Sequence, residues 1–483
     1  VTGVQTCALP ISLAVDNTVA NVAFTGNGSS VTNAFTPAND GTFVFGASGG
    51  TQTYNGGLTT TSVGGTVTLN GTIASSDDAV VLGAITLGSA TVIDTNSTTT
   101  NRADITIAAV TGGSNTLTFT TENNVTGSDV TASGNISGVT TLTLASVGGT
   151  ATLSADVDVT TLVVGNTVAN VAFTGNGSSV TNAISFANDG TLTLGQDGGT
   201  QTYNGGLTTT SVGGTVTTNG TLATSNDAVV LGAVTLGSNT TIDTNATNTT
   251  GDITIGAVTG GSNNLTLSTG NNVAGADITA SGAISGLGNL TLADVGGTAT
   301  FSNNVAAAAL SADNTVANVS FTGGTNTFSG AASFANDGTL TFGDATGDSF
   351  TFNGGLNTAS VAGTVTLNTS ISSSDDALTF GAVTLGNNVT IDTNSTTTNR
   401  ADIVIGAVTG GNNTLTLTTE NNIANADITA SGAISGVTTL TLASVGGTAT
   451  LSADVDVTTL AVDNTVANVA FTEIGRASCR ERV

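Results

Sequence analysis

The 483-residue chain is 38% hydrophobic but only 8% charged, and its 32 acidic residues against five basic ones give a net charge of −27. With so few cations there is nothing to neutralise phosphates, which excludes nucleic-acid binding. No apolar run reaches the roughly 18–20 residues of a membrane helix, and 4% aromatics without tryptophan leave no interfacial girdles for a membrane barrel, so membrane insertion of this segment is not expected. Apolar residues are mostly β-branched or leucine and alternate with threonine, a pattern that favours strands over helices. In chain order the first elements read as short strands closed by Gly, Asn or Asp: TVTLNG (66–71), AVVLG (79–83), AITLG (84–88), DITI (104–107) and TLTF (116–119). The phrases between them read as turns: NDGT from Asn39, NGG after Tyr54, SSDD before Ala79 and IDTN from Ile93.

These phrases return. NTVAN starts at Asn17, Asn166, Asn314 and Asn464, a period of roughly 150 residues. TQTYNGGL at Thr51 recurs at Thr200 and, as SFTFNGGL, at Ser349, and IDTN recurs at Ile93, Ile242 and Ile391. The divisions are 13–165, 166–313 and 314–463 for three long units, with 464–472 opening a fourth. A shorter beat lies inside: Asp104–Ser128 aligns on Asp129–Leu153, which follows it directly. A step of about 25 residues, with two or three strands and Gly/Asn/Asp corners, is one coil of a β-solenoid. The expectation is an all-β parallel β-helix of about 18 coils, a rod of roughly 90 Å at ~4.8 Å per rung. Phe24, Phe173, Phe321 and Phe471 are expected inside, and outward Thr and Asn are expected in ladders. Three tandem β-sandwich domains of ~150 residues are the alternative.

The two ends differ from everything between them. Val1–Ile11 (VTGVQTCALPI) and Ile474–Val483 (IGRASCRERV) hold both cysteines and three of the five basic residues. Both strings resemble translated sequencing-adapter oligonucleotides, which implies that 1–12 and 473–483 are not native and belong outside the fold reasoning. A Cys7–Cys479 disulfide would then be an artefact. Residues 13–472 would carry two basic residues, Arg102 and Arg400, and no cysteine.

Within that stretch, GGTQTYNGGLTTTSVGGTVTTNGTL (198–222) and TLGSNTTIDTNATNTTGDITIGAVTGGSNNLTL (235–267) are similar to the repeat regions of very large bacterial exoproteins, the filamentous-haemagglutinin-like and β-strand-repeat surface proteins. That resemblance implies a right-handed parallel β-helix, secreted to the cell surface and used for adhesion or as a stalk.

Chemistry is sparse. No histidine, no lysine and no cysteine between the terminal strings removes Ser/His/Asp and Cys/His triads, histidine metal sites and phosphate-loop lysines. No catalytic, cofactor-binding or metal residue is assigned, and no cofactor is expected. Four features invite a sharper reading. Asp78, Asp227 and Asp376, with Asp94, Asp243 and Asp392, are acidic turn positions with oxygen ligands for calcium; the plainer reading is side-chain-to-backbone turn bonding. Arg102 and Arg400 occupy equivalent places, but the copy between them has no arginine, so a catalytic cation for a polysaccharide lyase is disfavoured. Paired carboxylates for a polysaccharide hydrolase are likewise conceivable but unmarked. Tyr54 and Tyr203 share a repeat position with Phe352, which suggests a packing ring with a dispensable hydroxyl rather than a sugar-stacking platform. The expected function is an extracellular adhesin shaft that meets a host-cell, glycan or matrix surface, binds by avidity and is prone to side-by-side self-association. The alternatives are a passive structural stalk or surface-layer component without a ligand of its own and, behind it, a polysaccharide-degrading β-helix.

Overall fold

The computed structural model describes residues 13–98, 101–396 and 400–472; the terminal strings lie outside them. Fifty short strands and no helix are present among the described residues. The chain forms two compact units, one of residues up to Ser225 with Val230–Val234, the other of Asn226–Val229 and the residues from Thr235 onward. Each is a parallel β-solenoid, and the described residues make about 20 coils. Parallel pairing throughout each unit rules out the tandem sandwiches, whose sheets are antiparallel.

Three ladders build the first unit. One runs from Val22–Phe24 through Phe43–Phe45 to the strands that start at Val67, Ile85, Val110, Ile136 and Val157. A second runs from Ser29–Val31 through Thr51–Tyr54 and Leu117–Thr120 to Leu162. The third starts at Phe35 and passes through Leu58–Thr59, Val80–Leu82, Ile105–Ile107, Val130–Ala132 and Thr150–Leu153 to Asn170–Phe173. Alternation does the sorting. Ile107, Ala132, Leu153 and Phe173 stack inward and are buried, while Thr106, Thr131 and Thr152 stack on the outer face in register, the expected threonine ladder.

Coil length varies. Along the first ladder Val22 pairs with Phe43, Phe43 with Val67, Val67 with Ile85, Ile85 with Val110, Val110 with Ile136 and Ile136 with Val157. The step from Val67 to Ile85 is the shortest of these and that from Val110 to Ile136 the longest. Six coils therefore end at Val157. The segment from there to Val171, the repeat equivalent of Val22, is shorter than any of them and carries the chain two faces onward. The long repeat is six and two-thirds turns. Val22–Phe24 accordingly lies on the first ladder and its copy Asn170–Phe173 on the third. The second unit behaves alike. Asn318–Phe321 shares a ladder with Leu340–Phe342, Val365–Leu367 and Val383–Leu385, whereas Asn468–Phe471 follows Leu378–Thr379, Ile403–Ile405, Ile428–Ala430 and Thr448–Leu451. Within each unit the two copies of this motif thus lie on different faces.

The interior is layered. Phe173 and Phe321 are fully buried, and Phe321 stacks on Phe301 at 4.9 Å and Phe342 at 6.0 Å. Phe471 is 49% exposed because no described strand lies above it. These two positions offer a test. Phe321→Ala is expected to cost about 3–5 kcal/mol locally and Phe471→Ala far less, read as loss of amide-exchange protection in the flanking rungs. Equal losses would contradict the layering.

Candidate functional site: bulge grooves and acidic turns

The same concavity recurs once per long repeat. In the strand Ile136–Leu144 the register to the next rung slips between Ser137 and Val139, with Gly138 at φ +67°. Equivalent slips occur after Ile284, with Gly286 at φ +64°, and at Ser435/Val437, with Gly436 at φ +66°. Each is a bulge that a left-handed glycine permits. Packing there also demands glycine one rung earlier, since a Cβ on Gly112 would sit 2.4 Å from the Gly138 carbonyl oxygen. The slip opens a groove of about 320 Å³ lined by Ser114, Gly138, Thr140, Asp158, Thr160 and Thr181. Its third-repeat copy, about 280 Å³, is lined by Asn412, Gly436, Thr438, Asp456 and Thr458. In the second repeat Ala306, Ala307 and Ala308 replace the aspartate-bearing strand, and that groove, about 350 Å³, is mainly apolar.

Each polar groove holds one carboxylate, Asp158 or Asp456, among hydroxyls. A two-carboxylate glycosidase needs a second at roughly 5–10 Å, and neither lining supplies it. The arrangement can accept hydrogen bonds from a neutral, hydroxyl-rich ligand. The bulge escaped the sequence reading, although a glycine inside an otherwise regular strand (ISGVTTL, ISGLGNL) is the signal for one.

The acidic turns bond backbone. Asp77, at φ +67°, accepts the Thr98 amide, and Asp375, at φ +71°, accepts that of Thr396. In the middle copy the neutral Asn226 accepts the Thr247 amide in the same way. An amide that replaces the carboxylate with the same bond shows that turn geometry, and not charge, is what the position requires. Asp94, Asp243 and Asp392 each accept the amide two residues on, at 2.7, 2.9 and 2.7 Å. The main chains of Asp78 and Asp376 accept Ser75 and Ser373 hydroxyls; slight burial, then neighbouring Asp375, raises the Asp376 carboxyl. Among the described residues no three acidic groups converge as metal ligands. Arg102 and Arg400 reach Asp104 and Asp402 at 3.7 Å on the exposed surface, pairs of little energetic weight.

One acidic contact is unusual. Burial pushes Asp94 up to about 6, and Glu122 lies against it, adding like-charge repulsion and a carboxyl–carboxyl hydrogen bond that requires a proton. Asp392 against Glu420 repeats this, also at about 6. Glu122 heads three consecutive left-handed residues, Glu122, Asn123 and Asn124, as Glu420 does for Asn421 and Asn422. The middle copy has Gly270 in place of the glutamate, and there the Ser268 hydroxyl donates to Asp243 at 3.4 Å. A carboxyl raised in the folded state binds its proton more tightly there than in the unfolded chain. Its contribution is therefore complete below the ordinary value of 3.8 and is lost as pH rises through about 6. Stability should fall across that window. Glu122→Gly with Glu420→Gly should flatten the fall and move Asp94 and Asp392 down in a carboxyl NMR titration; an unchanged titration would sink the assignment.

Tyr54 and Tyr203 are fully buried, so neither is a sugar platform. The ring packs, as expected; Tyr54 stacks on Phe35 at 5.8 Å. The hydroxyl is not idle, which corrects the sequence reading. Tyr54 donates to Gln52 Oε1 at 2.9 Å, and Tyr203 to Gln201 at 2.8 Å. The Gln201 amide in turn donates to the Phe173 and Gly175 carbonyls. In the third copy Gln and Tyr become Phe350 and Phe352 together, and Asn326, one rung earlier, donates to the equivalent Gly323 carbonyl at 2.8 Å. The donor to this carbonyl has moved one rung while the acceptor stays in place. Tyr203→Phe alone is expected to cost about 1–3 kcal/mol by stranding the Gln201 oxygen. Adding Gln201→Phe and Ser178→Asn should recover most of it, read by local amide exchange; strict additivity would refute the coupling.

No family model, curated protein or solved structure matches the chain.

Proposed function

We propose that the chain is a repetitive segment of a large secreted bacterial surface protein, of the filamentous-haemagglutinin-like or β-strand-repeat kind, that serves as an adhesive β-solenoid shaft toward cells, glycans or matrix. The observation that carries this reading is the recurrent polar groove with Asp158 and Asp456 at equivalent places. Its hydroxyls and single carboxylate suit the hydroxyl groups of a neutral glycan. The strong negative charge keeps parallel shafts and acidic polymers at a distance, so uncharged sugars are the favoured ligands.

The passive-stalk reading has its own support in the alanine-lined groove of the middle repeat, which offers a ligand no hydrogen-bond acceptor from those side chains. The two readings separate on immobilised neutral polysaccharides. Asp158→Ala with Asp456→Ala should reduce binding by about tenfold or more, as loss of two hydrogen-bonded contacts implies, while thermal stability is unchanged. Absence of binding by the unaltered chain to any neutral glycan would leave the stalk.

A further inference from the structure

Seven asparagines stand directly before a glycine: Asn27, Asn55, Asn70, Asn176, Asn204, Asn219 and Asn353. Such a pair carries latent chemistry. The glycine nitrogen can attack the asparagine side chain where nothing restrains either group, and no Cβ crowds the approach. The fold restrains the pairs unequally. The Gly28 amide donates to the Thr51 carbonyl at 2.8 Å, and the Gly177 amide to Asp156 Oδ1 at 2.7 Å. Asn27 and Asn176 in turn accept the Thr51 and Thr200 amides through Oδ1, at 3.1 and 3.2 Å. Nucleophile and electrophile are both engaged there. Asn70 is held likewise: its Nδ2 donates to the Phe45 carbonyl at 3.1 Å, and the Gly71 amide to Ser89 Oγ at 3.2 Å.

The NGG corners after Tyr54, Tyr203 and Phe352 differ. Among the described residues nothing accepts the Gly56, Gly205 or Gly354 amide. One hydrogen bond closes each turn, from Gly57 to the Tyr54 carbonyl at 2.9 Å, Gly206 to Tyr203 at 2.9 Å and Gly355 to Phe352 at 3.0 Å. The Asn55 and Asn204 side chains reach only the Ser30 and Ser179 hydroxyls, at 3.4 and 3.5 Å. Packing also dictates the glycine. A Cβ on Gly56 would lie 2.3 Å from the Ala34 nitrogen, and one on Gly205 2.3 Å from that of Ala183. The residue that leaves each asparagine vulnerable is thus demanded by the neighbouring rung. Asn353 is set apart by its side-chain oxygen, which is buried without a donor. Negative charge that develops on that oxygen during attack meets no stabilising group.

We propose that Asn55 and Asn204 are sites of self-modification, deamidated in the folded chain without an enzyme. The Gly56 nitrogen gives up its proton to solvent base and bonds to Asn55 Cγ. The Cγ–Nδ2 bond breaks, Nδ2 takes up a proton and leaves as ammonia, and a five-membered succinimide remains. Water then opens the ring at one of its two carbonyls, which yields aspartate or its iso-linked isomer. The net reaction consumes one water and releases one ammonia, with no change of oxidation state. Asn204 and Gly205 react in the same way. Each event adds a negative charge. The iso-linked product also adds one carbon to the main chain between Thr51–Tyr54 and Leu58–Thr59, or between Thr200–Tyr203 and Leu207–Thr208, and so loosens a corner that sets strand register.

The test holds the full chain in mildly alkaline buffer, samples it over weeks, digests it with pepsin at acid pH and weighs each Asn–Gly peptide. The mass gain of deamidation, about one dalton, should accumulate at Asn55 and Asn204 about tenfold faster than at Asn27 and Asn176, the factor that one retained hydrogen bond sets. Asn353 should lag behind Asn55. Asn27 and Asn176 share the sequence TGNGSS, and Asn55 and Asn204 share TYNGGL, so each rate is measured twice within one chain. In concentrated urea the ranking should vanish and all four should react alike, because only the fold restrains them. Equal rates at the four positions in the folded chain would overturn the proposal. So would silence at Asn55 and Asn204 over a span in which the urea-treated chain reacts, or a ranking that survives in urea.

Discussion

Every feature of this protein depends on the parallel backbone ladder between coils. A strand of three or four residues cannot stand alone, so each rung is held by hydrogen bonds to the rung before and the rung after, and each buries its inward side chains against theirs. Register becomes the central constraint. A slip of one residue would turn Ile107, Ala132 and Leu153 outward and bring Thr106, Thr131 and Thr152 into the core. The alternation of threonine with aliphatic residues forbids that.

The ladder tolerates unequal coils because corners absorb the difference. The short step from Val67 to Ile85 and the long one from Val110 to Ile136 coexist on one face. The long step carries left-handed corner residues, Glu122–Asn124, that the short one does not. Irregularity is thereby confined to the surface, where it can make grooves, and the core keeps its spacing. The same economy explains the acidic turns. Asp77 and Asn226 satisfy amides that a corner would otherwise leave unpaired, and the charge carried by some copies is incidental to that task.

The interior shows how repeats diverge under the same constraint. Gln201 with Tyr203, and Phe350 with Phe352 beside Asn326, are two solutions for one buried carbonyl. A polar group in the core persists only with its partner, so the pair changes as a unit. The Asp94–Glu122 contact is the opposite case: two acids at a half-buried corner, relieved in the middle repeat by Gly270.

The amino-acid sequence by itself determined the architecture. The short internal beat, the alternation in TVTLNG and DITI, and the return of NTVAN and IDTN name a parallel solenoid, because local alternation and turn residues act within a few residues of where they are written. Turn bonding through a side chain holds for Asp94, Asp243 and Asp392, whereas at the paired corners it falls to Asp77, Asn226 and Asp375, one residue before Asp78, Asp227 and Asp376. Only the tertiary structure decided the phase of the long repeat, since six and two-thirds turns is a sum of many coil lengths, and an error of a few residues in any one of them moves a motif to another face. The bulge grooves, the Tyr–Gln bond and the carboxyl pairs were hidden for a related reason. Each depends on which rung lies against which, and on the register between them, and no local pattern reveals either.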